Sequence, residues 1–181
     1  MVLIPQCVDM CKGHRSPLHG GDVLVIGAGG IFDGRGMAAA MALGAAGVWV
    51  GTRFVAAAEA SAGPRHQQAV IQAGSDDTIR TTIFSGRPMR VMKNDYILEW
   101  EQTRQQERDA LLASGKRPYK TDLERCKEEG NPLDLFATYP NILGQASGGI
   151  TEVLPARTIV HNMVTEAFDV MVAQAGLLSR I

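Results

Sequence analysis

Several things are scarce in this sequence, and each scarcity excludes something. Three cysteines are too few for a disulfide framework. Cys7 and Cys11 lie four residues apart but lack nearby partners for a metal set, so reduced thiols and no bound metal are expected. Charge of one sign is missing: 18 Lys and Arg against 19 Asp and Glu leave a net charge of −1, without the basic footprint of a nucleic-acid-binding protein. Long apolar runs are missing too. The most apolar stretch, Met37–Val50, covers 14 residues and is broken by Gly44 and Gly47, whereas a membrane span needs about 20. Met1–Pro5 lacks the charged n-region of a secretory signal. These absences lead us to expect a cytoplasmic protein with no nucleic-acid or membrane partner. Ser179-Arg180-Ile181 loosely resembles the Ser-Lys-Leu peroxisomal address, with Ile a weaker substitute for Leu. Its plainer reading is a helix end.

What the chain does have is glycine, 20 in 181 residues, and its placement is informative. An apolar run, Val23–Ile26, ends in Gly27-Ala28-Gly29-Gly30. A small-residue helix follows, starting near Asp33 or Gly34, and a second apolar run, Val48–Val50, ends in Gly51-Thr52-Arg53. Two strands thus finish in glycine-bearing loops with one helix between them. In a TIM (β/α)8 barrel the loops after the last two strands form a phosphate site. Glycine suits such a site, since without a Cβ its N–H can approach phosphate oxygens closely, and Gly29 and Gly30 can take positive φ. Gly51 would serve likewise in the second loop, where the Thr52 hydroxyl adds a donor. The competing reading is that these glycines only make tight turns.

Two other phosphate motifs fail on spacing. A dinucleotide fingerprint needs G-x-G-x-x-G, and Gly27-x-Gly29 is followed by Gly30-Ile31-Phe32. A Walker loop needs G-x-x-x-x-G-K-[ST]; Gly29 to Gly34 has the interval, but Arg35-Gly36 stands where Lys and a hydroxyl belong.

Elsewhere, Leu3–Met10 reads as a short helix and Lys12–Asp22 as a loop. Phe54–Ala62 is expected to begin a helix and Pro64–Gln72 to continue or restart it. Asp77–Phe84 reads as a β-branched strand, Ser85–Pro88 as a turn and Met89–Met92 as a second strand. Tyr96–Ser114 is expected as one amphipathic helix carrying Trp100 and Leu111-Leu112 on its apolar face. Gly115–Tyr139 is polar and irregular in pattern, Gly144–Ile150 is a glycine-bearing loop, and Thr151–Ile181 reads as mostly helical with a break near Pro155. A complete barrel has eight βα units in about 250 residues, and only the first 54 residues here read that way. The fold class is therefore expected to be α/β, and either the chain completes its sheet in some other way or it is the C-terminal portion of a TIM (β/α)8 barrel with an appended mostly helical region, an incomplete barrel. Residues 1–62 hold the last βα units with the phosphate loops, and residues 63–181 form a helical extension packing on them.

The sequence resembles the nitronate monooxygenases, formerly 2-nitropropane dioxygenases, and is most similar to their fungal branch. The resemblance rests on residues 25–36, Ala40–Gly47, Val48–Phe54, Glu59-Ala60, Asp77–Thr81, Ser85–Arg90, and Gly144-Gln145 with Gly148–Ile150. It implies an FMN-dependent barrel that oxidises alkyl nitronates with O2 to a carbonyl compound and nitrite. By the same resemblance Gly29 and Gly30, with Trp49, Val50, Gly51 and Thr52, would hold the FMN phosphate. Family members are roughly twice this length. Their N-terminal half carries a Gly-His segment with the catalytic base, and Leu3–Asp9 looks like the helix that follows it, so the catalytic histidine is expected upstream of this chain.

Of the local histidines, Gly13-His14 mimics the Gly-His motif but falls in the loop after that helix, beside His19; His66 and His161 sit on helices. Each reads as a solvated or capping side chain. Arg53 is expected either to neutralise phosphate or to pair with a helix carboxylate, and Arg87 and Arg90 to lie solvated around a turn. Two alternatives accompany the enzyme reading: a non-catalytic truncated fragment, and a phosphate-binding barrel of the IMP dehydrogenase type. The Gly-Arg-Pro segment, and the lack of a cysteine in a suitable glycine context, speak against the latter.

Overall fold

A computed structural model describes residues 2–179, so two of the three residues of the C-terminal address, Arg180 and Ile181, lie outside it. The organising unit is β-α-β. Strand β1 (Ile26–Ala28) runs parallel to β2 (Gly47–Trp49), with Ile26 opposite Gly47, Gly27 opposite Val48 and Ala28 opposite Trp49. Helix α2 (Gly34–Ala42) joins them, and helix α1 (Leu3–Cys11) precedes β1. Gly27 is what lets the helices sit so close. A Cβ there would lie 3.3 Å from both the Ala40 Cβ and the Ile4 Cδ1. Side chains alternate across a strand, so Ile26, Ala28 and Trp49 point to the opposite face, which is uncovered: Ile26 is 49% and Trp49 74% exposed. The first strand starts at Ile26 rather than Val23. A strand is defined by its partner, and the Val23 N–H goes to the His14 carbonyl at 3.2 Å instead of to β2.

After β2 the chain makes one helical turn, α3 (Thr52–Val55), and stops. The helix expected from Phe54 to Ala62 does not form because its backbone pairs elsewhere. Ala58 N–H donates to Leu154 O at 2.9 Å and Leu154 N–H donates to Ala56 O at 3.2 Å. Helix α4 (Pro64–Gln72) restarts with Pro at its first position, where the missing N–H costs nothing. Strands β3 (Thr78–Thr81) and β4 (Met89–Met92) pair antiparallel across a turn in which Gly86 takes φ +75°.

The expected single helix over 96–114 is two, α5 (Asp95–Gln102) and α6 (Gln105–Ala113), and the polar stretch Gly115–Tyr139, whose pattern assigned no element, contains α7 (Pro118–Glu128). Both differences trace to Asp122, which is buried on α7. Its carboxylate accepts from Tyr96 Oη and Trp100 Nε1, each at 3.1 Å, from Arg104 Nη1 at 2.9 Å and from Arg125 Nη2 at 2.6 Å. Arg104, between α5 and α6, turns inward to reach it and lays its guanidinium 3.5 Å from the Trp100 ring centre. Hydrogen bonding and charge from Arg104 outweigh burial and hold the Asp122 carboxyl below its ordinary pKa, while burial, with Asp122 beside it, pushes the Tyr96 phenol up.

A long helix, α8 (Ala156–Leu178), follows Pro155 and packs along α2 through Ile159, Met163 and Ala167, all buried. Gly34 permits this: a Cβ there would come within 2.6 Å of Met163 O and Ala167 N. Among the described residues no helix is long and apolar enough to cross a membrane. The parallel sheet has two strands among them, with no further strand beside β1 or β2.

Candidate functional site

The parallel register brings the two glycine loops to one end of the sheet, since Ala28 faces Trp49 and the chain leaves both strands there. Gly29 and Gly30 take φ +91° and +75°, the left-handed backbone that only glycine adopts freely. Gly51 has φ −105°, so its glycine is not required by backbone strain; open space is what it shares with the other two. A Cβ built on Gly29, Gly30 or Gly51 meets no atom within 4 Å. No acceptor among the described residues engages the N–H groups of Gly30, Gly51 or Thr52. Two backbone turns with free N–H donors and open flanks therefore stand at the same end of the sheet.

A second segment braces these loops. A 3-10 turn, Gln145–Gly149, lies across them. The Gly144 N–H donates to Thr52 Oγ1 at 3.0 Å, which leaves the Thr52 hydroxyl proton free to donate outward. On the other side the Phe32 ring, just past the Gly29-Gly30 turn, packs on Gly149 so closely that any Cβ there would overlap the ring. Gly148 packs likewise on Ser75. Residue patterns alone marked Gly144 and Gly149 as part of the resemblance without assigning them a role. That role is steric, because the bare backbone lets this segment touch both loops.

Arg53 makes no ion pair with a helix carboxylate among the described residues. It is 6% exposed, and its Nη1 donates to the Glu152 carbonyl at 2.8 Å, tying α3 to the segment that leads into α8. Burial lowers the Arg53 pKa, against the nearby Glu152 charge, which raises it. Its Nη2 has no partner among the described residues and faces a cavity of about 160 Å³ shared with Asp33, Asn162 and Glu166. The N-terminus of α2 is already filled by anions: Asp33 Oδ1 accepts from Gly36 N–H at 2.8 Å and Glu166 Oε2 from Gly34 N–H at 2.7 Å. These N–H groups at the start of α2 are therefore already taken.

Trp49 stands on the uncovered sheet face, and Val50 is half-buried in a groove with Met37, Phe54 and Val164. The histidines lie elsewhere. His14 and His19 are in the loop before β1, at the opposite end of that strand from the glycine turn. His66 Nε2 is 2.7 Å from the Ile142 carbonyl, and His161 is on α8 beside Arg157 and Val160. Arg87 is exposed in the turn, whereas Arg90 is partly buried and donates to Thr78 Oγ1 at 2.9 Å. Among the described residues no group of three His, Cys, Asp or Glu side chains could hold a metal.

The family model described as nitronate monooxygenase matches residues 1–166. A Bacillus subtilis protein described as a probable nitronate monooxygenase is 31% identical over 167 residues, covering 92% of this chain and 43% of its own. Among solved structures, FabK from Thermotoga maritima superposes with a TM-score of 0.66 at 32% identity, over 97% of this chain and 51% of that one. The nitroalkane oxidase of Streptomyces ansochromogenes gives a TM-score of 0.62 at 25% identity, over 87% and 43%. The chain spans about half the length of the proteins it matches.

Proposed function

The chain belongs to the nitronate monooxygenase family, whose members are TIM-barrel flavoprotein oxidoreductases, and we propose that it supplies the FMN phosphate-binding part of such an enzyme, one that oxidises alkyl nitronates with O2 to a carbonyl compound and nitrite. The observation that carries this reading is the pair of open glycine turns at one end of β1 and β2. Their free N–H groups and empty flanks fit the phosphate of FMN. The residues assigned to it are Gly29 and Gly30 from the first loop and Gly51 and Thr52 from the second, with the backbone of Trp49 and Val50 leading in. Each charge-assisted bond of this kind is worth roughly 1.5–3 kcal/mol. Bound FMN supplies the redox chemistry, and the protein supplies position and electrostatics. Gly29, Gly30, Gly51 and Thr52 would hold the flavin by its phosphate at the C-terminal ends of β1 and β2. His14 and His19 stand at the opposite end of β1, His66 is held by the Ile142 carbonyl and His161 is on α8. In this reading proton abstraction belongs to the Gly-His segment that the family resemblance places outside residues 1–181.

FMN is expected to bind at least tenfold more tightly than riboflavin, which lacks the phosphate, in equilibrium titrations followed by flavin fluorescence. Equal affinities would remove the phosphate from these loops. With the barrel completed and FMN loaded, nitrite release from propane-2-nitronate is expected, and flavin retained without nitrite would remove the nitronate from the reading. A chain without activity of its own is the second reading, favoured by the uncovered Trp49 face.

A further inference from the structure

Arg53 is a feature of the site that stability does not account for. It is buried, its Nη1 donates to a main-chain carbonyl, that of Glu152, at 2.8 Å, and its Nη2 is unpartnered among the described residues. A buried charge without a carboxylate in contact is costly, and an apolar side chain of similar volume would cost less. The place of Arg53 in the chain gives it another use. It follows Thr52 directly in α3, a four-residue turn with no side-chain cap. So short a helix does not hold itself. Three ties to residues 144–154 hold it instead. The Gly144 N–H donates to Thr52 Oγ1, Arg53 donates to Glu152 O, and Leu154 exchanges backbone hydrogen bonds with residues 56 and 58. Arg53 makes the middle tie, and its long side chain is what spans the distance. The same segment touches the first loop where Phe32 packs on Gly149.

The charge matters as well as the reach. Arg53 lines the cavity of about 160 Å³ together with Phe32 and Gly149, so it stands among the first loop, the second loop and their brace. Asp33, Glu152 and Glu166 also line that cavity, and Arg53 is the one cation among the lining residues. Arg35, 3.4 Å from Glu166, is largely in solvent. Salt screens a buried charge far less than an exposed one. We infer that Arg53 is a positioning residue for the phosphate site: it fixes the Gly51-Thr52 turn against residues 144–152, sets a positive charge among three carboxylates, and through both makes the site prefer a phosphorylated flavin over one without phosphate. The inference rests on the reading that these turns hold the FMN phosphate. It asks for no contact between Arg53 and the phosphate. Riboflavin has no phosphate to offer the turn N–H groups, so neither effect reaches it.

The test compares the full chain with Arg53→Met, which removes the charge and keeps an unbranched side chain, and with Arg53→Lys, which keeps the charge. Each is titrated with FMN and with riboflavin, and amide hydrogen exchange is followed by mass spectrometry. Arg53→Met is expected to bind FMN about tenfold more weakly, the scale of one partly screened charge interaction, with riboflavin affinity unchanged. Arg53→Lys should restore most of the lost FMN affinity. Without flavin, peptides covering 142–154 should exchange faster in Arg53→Met, whereas those of α5 to α7, held around Asp122, should not change. A wild-type preference for FMN that Arg53→Met retains in full would overturn the inference and leave the phosphate reading standing. Parallel losses for both flavins, with faster exchange throughout the chain, would also overturn it, because Arg53 would then serve the fold alone. Equal affinities of wild type for the two flavins would remove the phosphate from these turns, and the inference with it.

Discussion

At the residue scale, three glycines do different work. Gly30, at φ +75°, combines strain and space: a valine there must adopt backbone that β-branched residues avoid, and it fills the empty turn. Gly30→Val is expected to weaken FMN binding at least tenfold with little change in riboflavin binding, read by paired titrations. Equal losses for the two ligands would mean general unfolding. Gly149 is steric instead. Gly149→Ala puts a methyl into the Phe32 ring and should cost about 1–3 kcal/mol in denaturant unfolding, the range for overpacking; an unchanged midpoint would show that the ring yields freely. Gly51 needs neither argument from its backbone, and only its open flank makes it part of the site. The sequence made the two loops legible through glycine following an apolar run. Arg53 was not legible, because its partner is the carbonyl of Glu152, 99 residues away, and a carbonyl leaves no mark in residue type.

At the element scale, local signals succeeded where the helix or strand answers to its own residues. Helix α2 starts at Gly34 as expected, capped by Asp33, and Pro64 opens α4. The hairpin β3–β4 follows β-branched residues and a glycine turn. Local signals failed where a distant partner decides. Leu154 pairs with residues 56–58 and ends α3 after one turn. Asp122 breaks the expected long helix at Arg104 and anchors α7 in a polar stretch whose pattern assigned no element. Removing a partner from a buried ion pair typically costs about 3–5 kcal/mol, so Asp122→Asn should destabilise the molecule by a few kcal/mol. The sign of the pH effect follows from the depressed Asp122 pKa. The stabilisation is complete above the unfolded carboxyl value of about 3.9 and is lost as pH falls through the lower folded value. The gap between wild type and Asp122→Asn is therefore expected to be flat from neutral pH down to about 4 and to narrow only below it. A gap that closes between pH 7 and 5 would assign the titration to another group.

At the scale of the whole molecule, the two parallel strands have no further strand beside them among the described residues, and α8 carries an exposed apolar stripe. Produced by itself, the chain is expected to bind hydrophobic dyes and self-associate, since unpaired apolar edges invite pairing. FMN should stabilise it little, because the gain grows only as ln(1 + [L]/Kd) and half a site binds weakly; a monodisperse monomer with a cooperative, dye-silent transition would count against this. Counting strands in the sequence led to the expectation of an incomplete barrel, whereas the bracing of both loops by residues 144–149 became visible only in three dimensions. The central claim is that the turn at Gly29-Gly30 and the start of α3 hold a flavin phosphate. Its most direct test is the phosphorus-31 resonance of FMN in excess over dilute protein. Wild type should broaden it, Gly86→Ala should broaden it equally despite a matching φ of +75° at a turn far from the site, and Gly30→Val should leave it sharp. Equal broadening by wild type and Gly30→Val would contradict the account.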